Sequence, residues 1–429
     1  MPAEIFNALP AFGGACADEY NCGQGAFMRL YKNAGADAFA EYLEKLEAAG
    51  FSLRSRSNIE DSLFAEFSGG GFQLFVYYTP CESALRIIAD PFTALPSDSA
   101  EDKRLCGIKL WQFEVDHSLI DCGMCYIVQC SDYSFFVIDS AHIYSVNDDL
   151  RIYDFLRRHT PNDLPVVVSG WFFSHGHSDH VSKFLDILRF NRDIIIKGLY
   201  YNFVPENHFS SGSWDSSEKQ HSRRFREELA RHPEIPQYKL HCGQRFSFSG
   251  IQLQVLCTHE DVYPGGLENY NDSSAVLMLE AAGGRVCFLG DAGMRESDII
   301  TRRYKKTLAC DIIQAAHHGH FGVSSEFYRL ANASAVLFPT TQIMFDEEYE
   351  HYEANRTACS IARHCFIASN GTVEFSFPLK DSEICLYPDE TFENFAGVYR
   401  LWGYEYSDGR KNELRNGFCS RQKKQYIKY

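Results

Sequence analysis

The stretch Phe172-Phe173-Ser174-His175-Gly176-His177-Ser178-Asp179-His180 packs three histidines and a carboxylate into six residues. The apolar run 166–173 reads as a buried strand that stops at Phe173. A helical pattern follows at once, with Val181, Phe184, Leu185 and Leu188 on one face. The polar cluster is therefore expected in a turn at the C-terminal end of a strand. Alternation aims His175 and His177 the same way, as two nitrogen ligands for one ion, and Asp179 and His180 then face a second position. Neutral imidazole and carboxylate suit zinc and other borderline divalent metals.

The pattern recurs downstream. Val286–Leu289 is an apolar run ending in Gly290-Asp291, and Ile312–Ala315 runs into Ala316-His317-His318-Gly319-His320. Cys257-Thr258-His259 follows the run 251–256, and Asn269-Tyr270-Asn271-Asp272-Ser273-Ser274 leads into another strand-like run. This succession resembles the metallo-β-lactamase superfamily over roughly residues 105–380. It is most similar to the branch that includes competence-protein C-terminal domains and phosphorylcholine esterases, with HxHxDH, NDxS, GD and HHG motifs.

The resemblance implies an α/β fold, an αβ/βα four-layer sandwich with two metals at one edge. It implies His175, His177, Asp179 and His180 as ligands, Asp291 as the bridging carboxylate, and His317 as a further ligand with His318 as the alternative. His320 is a candidate for metal or substrate. Asp139, after the strand 135–138, is implied as an acceptor for a ligand's second ring nitrogen. His259 stands where many relatives carry a histidine in a TPGHT-like loop, but the Pro-Gly is missing, so its place in the ligand set stays open.

Two divalent ions, zinc or else manganese or iron, bring the pKa of water toward ~7 and polarise the scissile ester. A metal-bound hydroxide then attacks, with Asp179 orienting it and taking its proton. The expected reaction is hydrolysis of a phosphodiester or phosphoester in a small molecule. A nuclease, a thiolester or lactone hydrolase, and a non-catalytic metal-binding scaffold are the alternatives. The chain has 429 residues, with 41 Lys or Arg against 57 Asp or Glu, a formal charge of −16. That weighs against phosphate tracking along nucleic acid.

Three parts are expected: an N-terminal α+β domain (1–100), the catalytic domain (101–390) and a basic extension (391–429). In the first, residues 36–49 have helical spacing and Gly50 stops them, and 51–56, 63–67 and 72–78 read as strands. Residues 95–99 look like a linker. Helices are expected at 150–159, 181–189, 217–230 and 297–307. The first Lys or Arg is Arg29, so no secretory signal is expected, and no apolar run reaches membrane-span length. The 15 cysteines therefore read as reduced thiols in a cytoplasm, with Cys122 and Cys125 as a lone CxxC on a buried strand. Residues 202–222, with Phe203, His208, Phe209, Trp214 and His221, are the candidate substrate-selecting insertion. Arg223, Arg224 and Arg226 follow as a charged helix face.

Overall fold

The computed structural model describes residues 6–91, 94–96, 105–190, 193–205, 213–267, 269–387, 398–401 and 404–407, with side chains placed except at 213–217, 398–401 and 404–407. Two mixed sheets face each other. The first runs in the order β13 (Gln237–Lys239), β12 (Leu199–Tyr201), β10 (Val166–Phe172), β9 (Phe135–Ile138), β8 (Tyr126–Gln129), β7 (Ile108–Gln112), β21 (Thr372–Phe377) and β22 (Cys385–Tyr387), and β11 (Ile194–Ile196) also pairs with β10. The second runs β14 (Arg245–Phe248), β15 (Ile251–Cys257), β16 (Val276–Ala281), β17 (Gly284–Phe288), β18 (Ile312–Gln314), β19 (Ala335–Phe338) and β20 (His364–Ile367). Alternate residues of facing strands fill the space between them. Leu110, Val128, Phe136 and Phe172 from one sheet meet Leu253, Leu277, Val286 and Leu337 from the other.

Helices cover the outer faces. On the first sheet lie α2 (Asp148–Arg158), α3 (Ser178–Phe190) and α4 (Ser213–Leu229). Their Ile152, Phe184 and Phe225 pack on Trp111, Val137 and Trp171. On the second sheet lies α5 (Met294–Tyr304), with Ile300 and Tyr304 against Leu256 and Met278. The helices expected at 150–159, 181–189, 217–230 and 297–307 are present, and all four begin earlier than their apolar spacing indicates. Their first turns are mostly polar and carry little hydrophobic signal. At α3 the start is fixed from another element, because Ser178 N–H and Oγ–H donate to Glu218 of α4 at 2.8 and 3.1 Å.

The N-terminal part is an antiparallel sheet in the order β1 (Cys16–Gly23), β2 (Ala26–Lys32), β6 (Ala84–Asp90), β5 (Phe72–Thr79), β4 (Ser62–Gly69) and β3 (Ser52–Ile59). It contains three strands beyond those read from the sequence. β1 is one of them and its residues are mostly exposed, so it lacks the alternation that marks a half-buried strand. Helix α1 (Ala36–Ala48) lays Phe39, Tyr42, Leu43 and Leu46 on one face. The other face is not solvated. Met28, Phe64, Phe75, Tyr77 and Ile88 share a core with Leu256, Met278 and Ile300.

Part of the linker at 95–99 and most of the extension at 391–429 lie outside the described residues. Residues 398–401 pair with 404–407 there. No described helix is long and apolar enough to cross a membrane.

Candidate metal centre

The centre is assembled where β10, β17 and β18 end. β10 delivers Ser174 and the histidine turn, and α3 begins inside that turn. Asp139, just past β9, adopts the left-handed conformation (φ 56°) that Asp tolerates better than most residues. Its buried carboxylate accepts from Ser174 N–H and Oγ–H, both at 2.9 Å, and lies 2.8 Å from His180 Nδ1. That contact leaves His180 Nε2 aimed inward. β17 delivers Asp291 through Gly290, at φ 55°, whose Cβ would come within 2.7 Å of Ser174 Cβ. The Asp291 N–H donates to Ser274 Oγ at 3.1 Å. Gln314 of β18 holds the same turn, accepting from Leu289 and Gly290 N–H at 2.7 and 2.8 Å.

Two groups of ligand atoms result, each with its atoms within 4.8 Å of one another. One is His175, His177 and Asp291; the other is Asp179, His180, Asp291 and His318. Asp291 belongs to both. Its Oδ2 lies 3.7 Å from His175 Nε2, and its Oδ1 lies 3.3 Å from His180 Nε2 and 3.6 Å from His318 Nε2. His318 Nε2 is also 2.9 Å from Asp179 Oδ2. The Nε2 atoms of His175, His177, His180 and His318 are buried and make no well-formed hydrogen bond. Buried polar atoms without partners are rare in folded proteins. Four imidazole nitrogens gathered around Asp179 and Asp291, the latter common to both groups, make a donor set that fits divalent cations.

The electrostatics agree with that fit. Burial pushes His175 well down and His177 down to about 4. At His180 and His318 burial acts in the same direction, but the nearby carboxylates outweigh it: Asp291, Asp179 and Asp139 raise His180, and Asp291 and Asp179 raise His318 to about 9. Burial of Asp179 and Asp291 is in turn outweighed by His180 and His318, so both carboxyls are held well below their usual range. Asp179 and Asp291 thus stay ionised among imidazoles, as carboxylate ligands of a cation must.

The structure brings His318 into the cluster rather than His317. Both residues take left-handed backbone conformations (φ 51° and 57°), and this double reversal turns the second ring inward. The His317 ring is spent elsewhere: Nδ1 lies 2.9 Å from Phe321 O and Nε2 lies 3.0 Å from Asn271 Nδ2. It stands at the mouth, 25% exposed and 4.0 Å from Asp291. His259 belongs to neither group, and its Nε2 faces Asn202 Oδ1 at 2.9 Å. His320 also stands outside, with Nδ1 2.9 Å from the Tyr352 hydroxyl.

Other neighbours were not among the expected ligands. Tyr270 stacks on His177 at 4.8 Å, and its hydroxyl would lie 2.7 Å from a Cβ at position 176, so only glycine fits between the two histidines. Cys122 presents its thiol to Asp179, and burial pushes that thiol's pKa well up. The CxxC therefore splits, with Cys122 facing the centre and Cys125 in the apolar core. Burial and Asp179 raise Glu218 to about 7. Of the expected substrate-selecting residues, His208 and Phe209 lie outside the described residues, as does the Trp214 side chain. Phe203 is buried against Tyr201 and Phe225. His221, lowered to about 4 mainly by burial, feels the charge of Asp179.

No family model matches the sequence, and no curated protein matches it. Among solved structures, the chain is similar to the metallo-β-lactamase fold protein YhfI from Bacillus subtilis, at 10% identity and a TM-score of 0.37, over 61% of this chain and 97% of that one. It is similar to Zn²⁺-bound PqqB from Methylobacterium extorquens, at 12% identity and TM-score 0.35, over 57% and 85%. A diphosphatase of the PhnP family matches at 13% identity and TM-score 0.36, over 63% and 98%. The N-terminal antiparallel sheet stands beside the two facing mixed sheets.

Proposed function

We propose that the protein is a metal-dependent hydrolase holding two divalent ions, zinc or else manganese or iron(II), that cleaves a phosphodiester or phosphoester of a small molecule. The observation that carries this reading is the convergence of four buried imidazole Nε2 atoms, none in a well-formed hydrogen bond, on Asp179 and Asp291. His175, His177 and Asp291 would hold one ion, and Asp179, His180, Asp291 and His318 the other. Bound divalent ions would supply Lewis acidity and a lowered pKa for water.

The chain's own residues do the remaining work. Asp139 fixes the His180 ring so that only Nε2 faces inward. Asp179, beside His318 Nε2, accepts the proton of the attacking water. Asn271 and the imidazole of His317 stand at the mouth, where they meet the anionic oxygens of a phosphoester. Tyr270 closes the space behind His177 and keeps solvent from it. The charge of −16 supports a small substrate over a polyanion.

The test is turnover of bis(p-nitrophenyl) phosphate, p-nitrophenyl phosphate and an acyl thioester by protein loaded with zinc or manganese. Phosphoester turnover, abolished in a folded Asp179→Ala variant, is expected. Undiminished activity in that variant contradicts the proposed chemistry, and turnover of the thioester alone reassigns the bond.

A further inference from the structure

The N-terminal sheet meets the rest of the chain through charge as well as apolar packing, and that charge gathers on one short turn. His241 lies with Nε2 2.8 Å from Asp90 of β6 and Nδ1 2.9 Å from Glu260. Its ring also stacks on Phe75 of β5 at 3.9 Å. Glu260 in turn accepts from Asn202 Nδ2 at 3.0 Å, and Asn202 Oδ1 faces His259. The neighbouring Asp261 accepts from the Tyr77 hydroxyl of β5 at 2.9 Å and from Arg303 at 2.6 Å. Arg303 reaches back to Glu82, just before β6, at 2.7 Å. Tyr263 stacks on Tyr20 of β1 at 5.6 Å with the rings 8° apart. Residues 259–263 are thus gripped by β1, β5, β6 and the segment between β5 and β6.

Apolar burial alone would keep the sheet attached, at no desolvation cost for ions. Buried ion pairs stabilise weakly on balance, and their best-attested use is to fix one register. The register fixed here is that of a chain segment leading straight into the metal centre. Tyr263 and Tyr270 lie in one apolar cluster. Tyr270 stacks on His177, and Asn271 meets His317.

We propose that the N-terminal sheet is a positioning device for the metal centre. By clamping residues 259–263 through Asp90, His241, Tyr77 and Tyr20, it sets Tyr270 behind His177 and Asn271 at the mouth. The clamp residues touch no substrate and act through that loop. The proposal deepens the hydrolase reading, but its first test does not depend on it.

The test is hydrogen–deuterium exchange of the metal-free, full-length protein with Asp90→Asn and, as the milder change, Tyr77→Phe. Losing a charged or buried hydrogen bond at the clamp should speed exchange in 263–274 by about tenfold or more, with α1 unaffected. Exchange that rises equally in α1, or not at all in 263–274, overturns the proposal, because the sheet then only adds stability. If the loaded protein turns over bis(p-nitrophenyl) phosphate, Tyr77→Phe should raise KM several-fold, and Tyr77→Phe with Tyr270→Ala should be non-additive. Additive effects overturn it as well. An absence of turnover sinks the hydrolase reading while the exchange result still decides this one.

Discussion

Asp139→Asn tests how the centre is organised. The wild-type carboxylate accepts from Ser174 N–H, Ser174 Oγ–H and the ring of His180 with no exposure to water. Asparagine keeps the size and tolerates the left-handed backbone. Its oxygen can still serve Ser174 N–H. Its NH₂, however, replaces the oxygen that faces Ser174 Oγ and His180 Nδ1; the hydroxyl can turn to accept, but at His180 Nδ1–H a donor confronts a donor. Losing a hydrogen bond to a charged group costs about 1.5–3 kcal/mol. Removing the carboxylate behind a metal-binding histidine lowers affinity about 10- to 100-fold, or about 1.4–2.7 kcal/mol. The two estimates agree.

His180 belongs to only one ligand group, so one of two ions should weaken and the other should hold. Zinc titration against a chromogenic chelator reads this directly. Asp154→Asn, on an exposed pair with Arg158, is the control. An Asp139→Asn protein with native circular dichroism, and both zinc affinities within about twofold of wild type, would refute the reasoning.

His318→Ala should bind one ion fewer by elemental analysis, whereas His317→Ala should keep both and raise KM for the phosphodiester. Ala at Glu218 removes the acceptor for Ser178 N–H and Oγ–H at the start of α3 and should cost about 1–2 kcal/mol in chemical denaturation. At His241, burial is outweighed by Glu260 and Asp90, which raise the pKa from 6.5 to about 9, while Lys239 and Glu66 stand nearby. The folded value exceeds the unfolded one, so this stabilisation is complete below about pH 6.5 and is lost as pH climbs through 9. It amounts to about 3 kcal/mol. The lowering of Glu260 to about 2 is the same contact seen from the other partner and adds nothing to that figure. Denaturation midpoints measured between pH 6 and 10 should fall accordingly, and Asp90→Asn should flatten the slope.

The elements around the centre were legible because strand period and histidine clustering coincide in 166–180, and because Asp291 and the histidines at 317–320 each follow an apolar run. The choice between His317 and His318 was not legible. It depends on two successive left-handed residues, and no spacing rule reports a ring's direction after such a reversal. Tyr270 and Glu218 escaped notice because their roles depend on which elements become neighbours in space. His259, left open as a ligand by its sequence, turns its Nε2 to Asn202 Oδ1, and its neighbour Glu260 is held by His241. β2 and β6 do not stand out because strands covered on both faces need not alternate cleanly, and β1 does not because most of its residues are exposed.

The central claim is that this centre holds two divalent ions. Elemental mass spectrometry of the purified protein, equilibrated with zinc or manganese and freed of excess, measures it directly. Two ions per chain are expected, with loss in His177→Ala of the ion that His175, His177 and Asp291 would hold. No ion above background in the folded wild-type protein would contradict the account and leave the cluster as a charge network without a metal.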